Sequence, residues 1–144
     1  MPTSHFLKSR EKGKIGQHFL AQTFRSWGAK VDEVPDGFFT DYDLVVHGNS
    51  GPRTVEVKHD YRAEKTGNIC LELDALWHSK ADLLAIVVGN PIKTIYLLPL
   101  QPALALAQSW PRKSVVGERA ELAALIPIDT FISKLNPQVL ITNQ

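Results

Sequence analysis

The chain has 144 residues, with 16 Lys and Arg against 15 Asp and Glu, and a single cysteine, Cys70. That length suits one domain with a proper core, and the near-neutral charge argues against a histone-like or tail-type polyanion binder. The lone cysteine excludes an internal disulfide and a cysteine-rich zinc site, and no apolar run approaches the roughly 18–20 residues of a membrane span. With no apolar signal-peptide core at the N-terminus, a reducing cytoplasmic location is the expectation.

Residues 1–11 read as a loose basic leader, with Lys8, Arg10, Lys12 and Lys14 within seven residues. From Lys12 the pattern turns helical. Ile15, Phe19, Leu20, Thr23, Phe24 and Trp27 fall in one stripe at 100° per residue, and Gly28 supplies the stop. A short strand near 29–34 and a Pro-Asp-Gly turn at 35–37 follow.

Tyr42-Asp43-Leu44-Val45-Val46 and Thr54-Val55-Glu56-Val57-Lys58 are β-branched-rich runs joined by a Gly/Asn/Ser/Pro turn, which reads as a hairpin. Residues 60–68 read as an exposed polar loop, and 69–73 alternate like a half-buried strand. Leu83–Val88 is a continuous apolar run that suits a central strand covered on both faces, with 94–98 as its neighbour. Beyond Pro99 a helical extension is expected: a short helix at 102–108, a basic loop at 109–117 and a last helix at 127–135. The whole is one domain, with 12–98 as its core and 99–144 as the extension. A helix, a run of strands and then helices indicates one sheet with helices packed on it.

The hairpin carries the chemistry. Side chains alternate faces in a strand, so Glu56 and Lys58 share one face and Val55 and Val57 the other. Asp43 is opposed to Leu44 by the same count, so two carboxylates and an ammonium converge on an otherwise apolar sheet. Acidic residues are depleted in strands, and a divalent metal acting on a phosphodiester gives these a purpose. Mg²⁺ needs one or two carboxylates plus substrate oxygens. Asp43 and Glu56 supply the carboxylates, and the backbone carbonyl of Val57 adds a third oxygen. Lys58 is placed to orient the attacking water or to stabilise charge on the phosphate. The bland reading of Glu-x-Lys alone is a surface ion pair worth about 0–1 kcal/mol; the preceding Asp strand and amphipathic helix tip the balance toward a site.

The order of helix, Asp at a strand and Glu-x-Lys on the next strand resembles the PD-(D/E)XK nuclease superfamily, from Lys12 to Gly89. That superfamily includes restriction endonucleases, Holliday-junction resolvases and small phage or bacterial nucleases. The resemblance implies an α/β, restriction endonuclease-like αβββαβ core with a central mixed sheet flanked by helices. It also implies Mg²⁺-dependent hydrolysis of DNA, with Mn²⁺ able to substitute. Carried across, Asp43 and Glu56 are the metal ligands and Lys58 the catalytic lysine. Gln17 stands where many members have a helical Glu; its amide can hold a metal-bound water, which favours one metal over two. The Pro of the nominal motif is absent, with Thr40-Asp41-Tyr42 before Asp43.

Lys12, Lys14, Tyr61, Arg62, Lys65 and Lys80 are the candidate DNA contacts, with Trp110, Arg112 and Lys113 of similar composition. Glu72 is either an extra acid or a solvated strand residue. Asp82 reads as a cap or a partner of Lys80, His59 as a packed histidine and His18 as a solvent-facing one. The five histidines show no zinc-ligand spacing. A domain this small has little surface to encircle DNA, so an endonuclease acting as a homodimer with two sites is expected. Two other readings stay open: a nuclease-fold subunit that binds DNA or assembles without cutting, and an unrelated α/β interaction module.

Overall fold

The computed structural model describes residues 4–34, 41–115 and 121–141, with side chains over 14–34, 41–112 and 122–140. Five helices and nine strands occur among them. The first helix, α1, spans Ser4–Ser26. It therefore takes in most of the expected loose leader; the side chain of Lys12 and the 35–37 turn lie outside the described residues. Gly28, at φ 92°, ends the helix. Its N–H donates to the Arg25 carbonyl and that of Ala29 to the Phe24 carbonyl, a Schellman closure that needs a left-handed residue between them.

Strands β1 (Lys30–Glu33), β2 (Leu44–Gly48) and β3 (Gly51–Asp60) form an antiparallel meander with Leu44 opposite Val55. Strand β5 (Leu83–Val88) lies parallel to β3, pairing Glu56 with Leu84 and Lys58 with Ile86. Strands β6 (Thr94–Pro99) and β9 (Gln138–Ile141) complete a mixed sheet of order β1-β2-β3-β5-β6-β9. The continuous apolar run at 83–88 is indeed the inner strand covered on both faces: Ala85 and Val87 join Leu20, Ala21, Leu44, Val55 and Ile95 beneath α1, while Leu84, Ile86 and Val88 point into the opposite core.

That second core is closed by a sheet absent from the sequence reading. β4 (Asn68–Glu72) pairs with β8 (Glu121–Pro127), and β8 with β7 (Arg112–Val115). Helices α3 (Leu73–His78), α4 (Leu100–Ser109) and α5 (Ile128–Leu135) pack with it. The segment after Pro99 is thus not a purely helical extension, since it holds β7, β8 and β9, and the 109–117 loop contains β7. The 60–68 loop contains a single-turn helix, α2 (Ala63–Thr66). Asp60 caps it, one carboxylate oxygen accepting from the N–H groups of Arg62 and Ala63 and the other from that of Cys70. Asp82 pairs with Thr54 rather than Lys80: its carboxylate accepts from the Thr54 backbone and hydroxyl at 3.1 and 3.2 Å, fixing where β5 starts beside β3.

The apolar stripe of α1 is centred on Leu20 and Ala21, while its outer members Ile15 and Trp27 are exposed. Gly16 lets the helix approach the sheet closely, since a Cβ there would stand 3.0 Å from Nδ1 of His59. That ring cannot easily yield. It stacks on Tyr61 at 3.9 Å, and its Nε2–H donates to the Gly89 carbonyl at 2.7 Å. Gly16→Ala gains about 1 kcal/mol of helix propensity but overpacks a filled site, at a cost of about 1–3 kcal/mol. The expected net result is a loss of about 1 kcal/mol, read as a lower urea midpoint with an unchanged m-value.

Candidate active site

β2 starts at Leu44, opposite Val55, so from Glu56 to Asp60 the β2 side of β3 carries no paired strand among the described residues. Asp43, one residue before β2, fills the start of that gap. Its backbone N–H donates to the Val55 carbonyl at 2.9 Å, and its carboxylate accepts from the Val57 N–H at 2.7 Å. In extended backbone the N–H and C=O of one residue point to the same side, so the Val57 carbonyl also faces the open edge beside Asp43. The parallel register gives Glu56 and Lys58 the faces of Leu84 and Ile86, toward the second core and away from α1.

The structure brings Asp43, Glu56 and Lys58 together. Lys58 Nζ lies 3.6 Å from Glu56 Oε2, with the two side chains 32% and 15% exposed. That burial makes this more than an exposed surface pair. Burial raises the Asp43 pKa above its ordinary value, against the Val57 N–H, Lys58 and a hydrogen bond with Glu56, which lower it. Burial, then the Asp43 charge, raises that of Glu56, against Lys58 and Ser79. Both pKa values are thus raised by burial, and that of Glu56 also by the neighbouring Asp43 charge. A divalent cation relieves both causes at once. The donor set of two half-buried carboxylates and a backbone carbonyl at an open edge fits one hard, oxygen-preferring ion. Among the described residues no group of three His, Cys, Asp or Glu forms a fuller cluster.

Sequence reading missed Ser79. Its hydroxyl lies 3.0 Å from Glu56 Oε1 and 3.1 Å from the Asp41 carbonyl, between which its one proton is shared. It follows α3 directly, and only the return of that helix to the sheet puts it there. Its neighbour Lys80 donates its backbone N–H to the same carbonyl and sets Nζ 3.6 Å from Asp41 Oδ2. Asp41 is therefore a partner of this turn. Partners of metal ligands set affinity by about 10–100-fold. With Glu56 as a Mg²⁺ ligand, the role expected from the sequence, Ser79→Ala should raise the Mg²⁺ concentration for half-maximal thermal stabilisation by about ten-fold, and Ser79→Thr should restore most of it.

Gln17 is not joined to this group. It is half-buried on α1, which covers the opposite, Val55 and Val57 face, and no hydrogen bond links it to Asp43, Glu56 or Lys58 among the described residues. Glu72 is half-buried and has no described bond to them either. Arg62 and Lys65 are exposed beyond the C-terminal end of β3, Lys80 lies beyond α3 and Lys14 is exposed on α1. Tyr61 is committed to His59. Trp110 donates its indole N–H to the Leu125 carbonyl at 3.0 Å, a packing role in the second layer. His59 is packed as expected, and exposed His18 pairs with Glu33.

A solved structure shares this architecture. A bacterial homing endonuclease, I-Ssp6803I, superposes with a TM-score of 0.54 at 21% identity, over 67% of this chain and 72% of that one. The chain has the fold of the PD-(D/E)XK nucleases. The Holliday junction resolvase Hjc of Archaeoglobus fulgidus also matches, with a TM-score of 0.48 at 16% identity over 82% and 93% of the two chains. No protein-family model and no curated protein matches the sequence. In this PD-(D/E)XK fold the observed order, α1, β1 to β3, α2, β4, α3, then β5 and β6, gives the expected αβββαβ order, with β4 added between the two helices that precede β5. No described helix is long and apolar enough to cross a membrane.

Proposed function

We propose that this chain is a Mg²⁺-dependent endodeoxyribonuclease that hydrolyses phosphodiester bonds at Asp43, Glu56 and Lys58. The observation that carries the reading is the grouping of two part-buried carboxyls, Asp43 held by the Val57 N–H at the open edge of β3 and Glu56 with Lys58 Nζ 3.6 Å away. Surface charges have no reason to be held this far out of water. Asp43, Glu56 and the Val57 carbonyl would hold one Mg²⁺ or Mn²⁺, which supplies charge neutralisation at the phosphate and acidifies a water. The chain's own groups do the rest. Ser79 and the Val57 N–H fix the orientation of the two carboxylates, and Lys58 would meet the negative charge that develops on the phosphate oxygens. Arg62, Lys65 and Lys80 are exposed and would neutralise phosphates of the bound strand. Gln17 has no ligand role in this reading.

The test is incubation of purified protein with supercoiled, linear and branched DNA in Mg²⁺, in Mn²⁺ and with chelator. Cleavage that requires the metal is expected. DNA binding without cleavage in any metal would instead mark a binding or assembly subunit, and no DNA binding a nuclease-fold protein used as an interaction module. The reading includes a homodimer in the cytoplasm, checked by sedimentation of the purified protein and by cell fractionation.

A further inference from the structure

The outer strands of the two sheets are β1, β9, β4 and β7, and three of them are guarded. β1 carries Lys30, Asp32 and Glu33, and β7 carries Arg112 and Lys113. On β4 the Asp60 carboxylate takes up the Cys70 N–H. β9, Gln-Val-Leu-Ile, has no such device. It pairs with β6 on one side, and no hydrogen bond runs from its other side to any described residue. Alternate residues of an antiparallel strand turn both N–H and C=O to the same side, so β9 presents unpaired backbone groups along its outer edge. From Gln138 to Gln144 the sequence holds no charge, glycine or proline. Folded proteins blunt an exposed edge with charge, proline or a bulge, and an edge without them is a template for another strand.

Apolar side chains line the same edge. Val139 is 43% exposed, and Ile132 on α5 is 36% exposed. Val139 lies opposite Tyr96, whose ring meets Phe131 of α5 edge-on at 5.6 Å. Val139 and α5 therefore occupy one face of the sheet, and Ile132 is the residue after Phe131. Asp129 and Lys134 are the only charges of α5 and cancel. The strip formed by β9 and α5 thus meets its own copy without net repulsion.

We propose that two copies of this chain join at the β9 edge, strand to antiparallel strand about a twofold axis, with Val139 and Ile132 closing over the pair. The proposal rests on the homodimer expected in the reading above, and not on the cleavage chemistry. A second copy is the occupant this edge fits, because a twofold contact uses one patch twice and an uncharged strip is complementary to itself. A twofold axis perpendicular to the sheet keeps every side chain on its own face. Val139 then falls opposite the partner's Val139 or one pair away, within about 5–8 Å. The two six-stranded sheets run on as one, and the unguarded edge disappears.

The test is sedimentation velocity of the full chain, with the wild type expected as a dimer. Val139→Lys and Val139→Glu each bring like charges together across the axis. Each is expected to raise the dimer dissociation constant by about 100-fold. An equimolar mixture of the two variants should recover the dimer, since lysine then meets glutamate. Leu122→Lys, at an exposed position of β8, should sediment as the wild type does. Val139 is exposed, so the circular dichroism of both variants should match the wild type. A monomeric wild type, a dimer that survives both charges, or a mixture that stays monomeric overturns the inference and leaves the cleavage chemistry standing. A dimer that behaves as expected but does not nick DNA overturns the nuclease reading and leaves the β9 interface standing.

Discussion

Asp43→Asn is expected to raise the melting temperature of the metal-free protein at neutral pH while removing the stabilisation that Mg²⁺ gives the wild type. Burial raises the folded-state pKa of Asp43 above its ordinary 3.8, and burial with the Asp43 charge raises that of Glu56 above 4.5. The native state therefore holds protons that the unfolded chain has released. Stability is greatest below the ordinary values and falls as pH rises through the raised ones, leaving the penalty complete above them. Asparagine removes one of the two charges, can still accept from the Val57 N–H, and offers an amide donor to Glu56. A rise of a few degrees is expected, about what 1 kcal/mol gives in a domain of this size. The wild type gains in the other direction: Mg²⁺ at a hundred times its dissociation constant adds about 2.7 kcal/mol. The two proteins should exchange order in melting temperature as Mg²⁺ is added. Melting curves at pH 5 and at neutral pH, with and without metal, check both signs; the gap between metal-free proteins should shrink at the lower pH.

Lys58→Ala is expected to lower the cleavage rate by about 10²–10³-fold with the Mg²⁺-induced melting shift retained. The ammonium is positioned by Glu56 but supplies no ligand oxygen, so its loss should appear in turnover rather than in metal affinity. Its removal also leaves the Asp43 and Glu56 pair without the one cation described beside it. The metal-free variant should therefore be less stable than the wild type at neutral pH and less so in Mg²⁺. Single-turnover cleavage and melting curves on the same preparation separate the two effects.

Much of this site was legible because the signals are local. The β2 and β3 hairpin follows from two alternating runs and a turn, and the faces of Glu56 and Lys58 follow from counting by two. The central position of β5 follows from six apolar residues that no amphipathic element would need. The misses have physical causes of a different kind. β8 contains Ala123 and Ala124, small residues buried between layers, whose weak strand propensity hides the pairing with β4. β7 and β9 are four-residue strands at sheet edges, too short for a period to show. The start of α1 lacked an apolar stripe in its first turns. Ser79 and Asp82 act on residues 23 and 28 positions away, which no spacing rule reaches. Gln17 has the expected place in the sequence order, on the helix that covers the sheet face opposite the one Glu56 and Lys58 share.

The most direct measurement compares the nicking of supercoiled DNA by wild type and Glu56→Gln, purified side by side, in Mg²⁺ and with chelator. The Asp43 and Glu56 pair beside Lys58 predicts wild-type nicking that stops in chelator, and a glutamine variant slower by about 10³-fold, as expected when one group of the charge-stabilising set is lost. Nicking by Glu56→Gln at the wild-type rate, or nicking that persists in chelator, would contradict it.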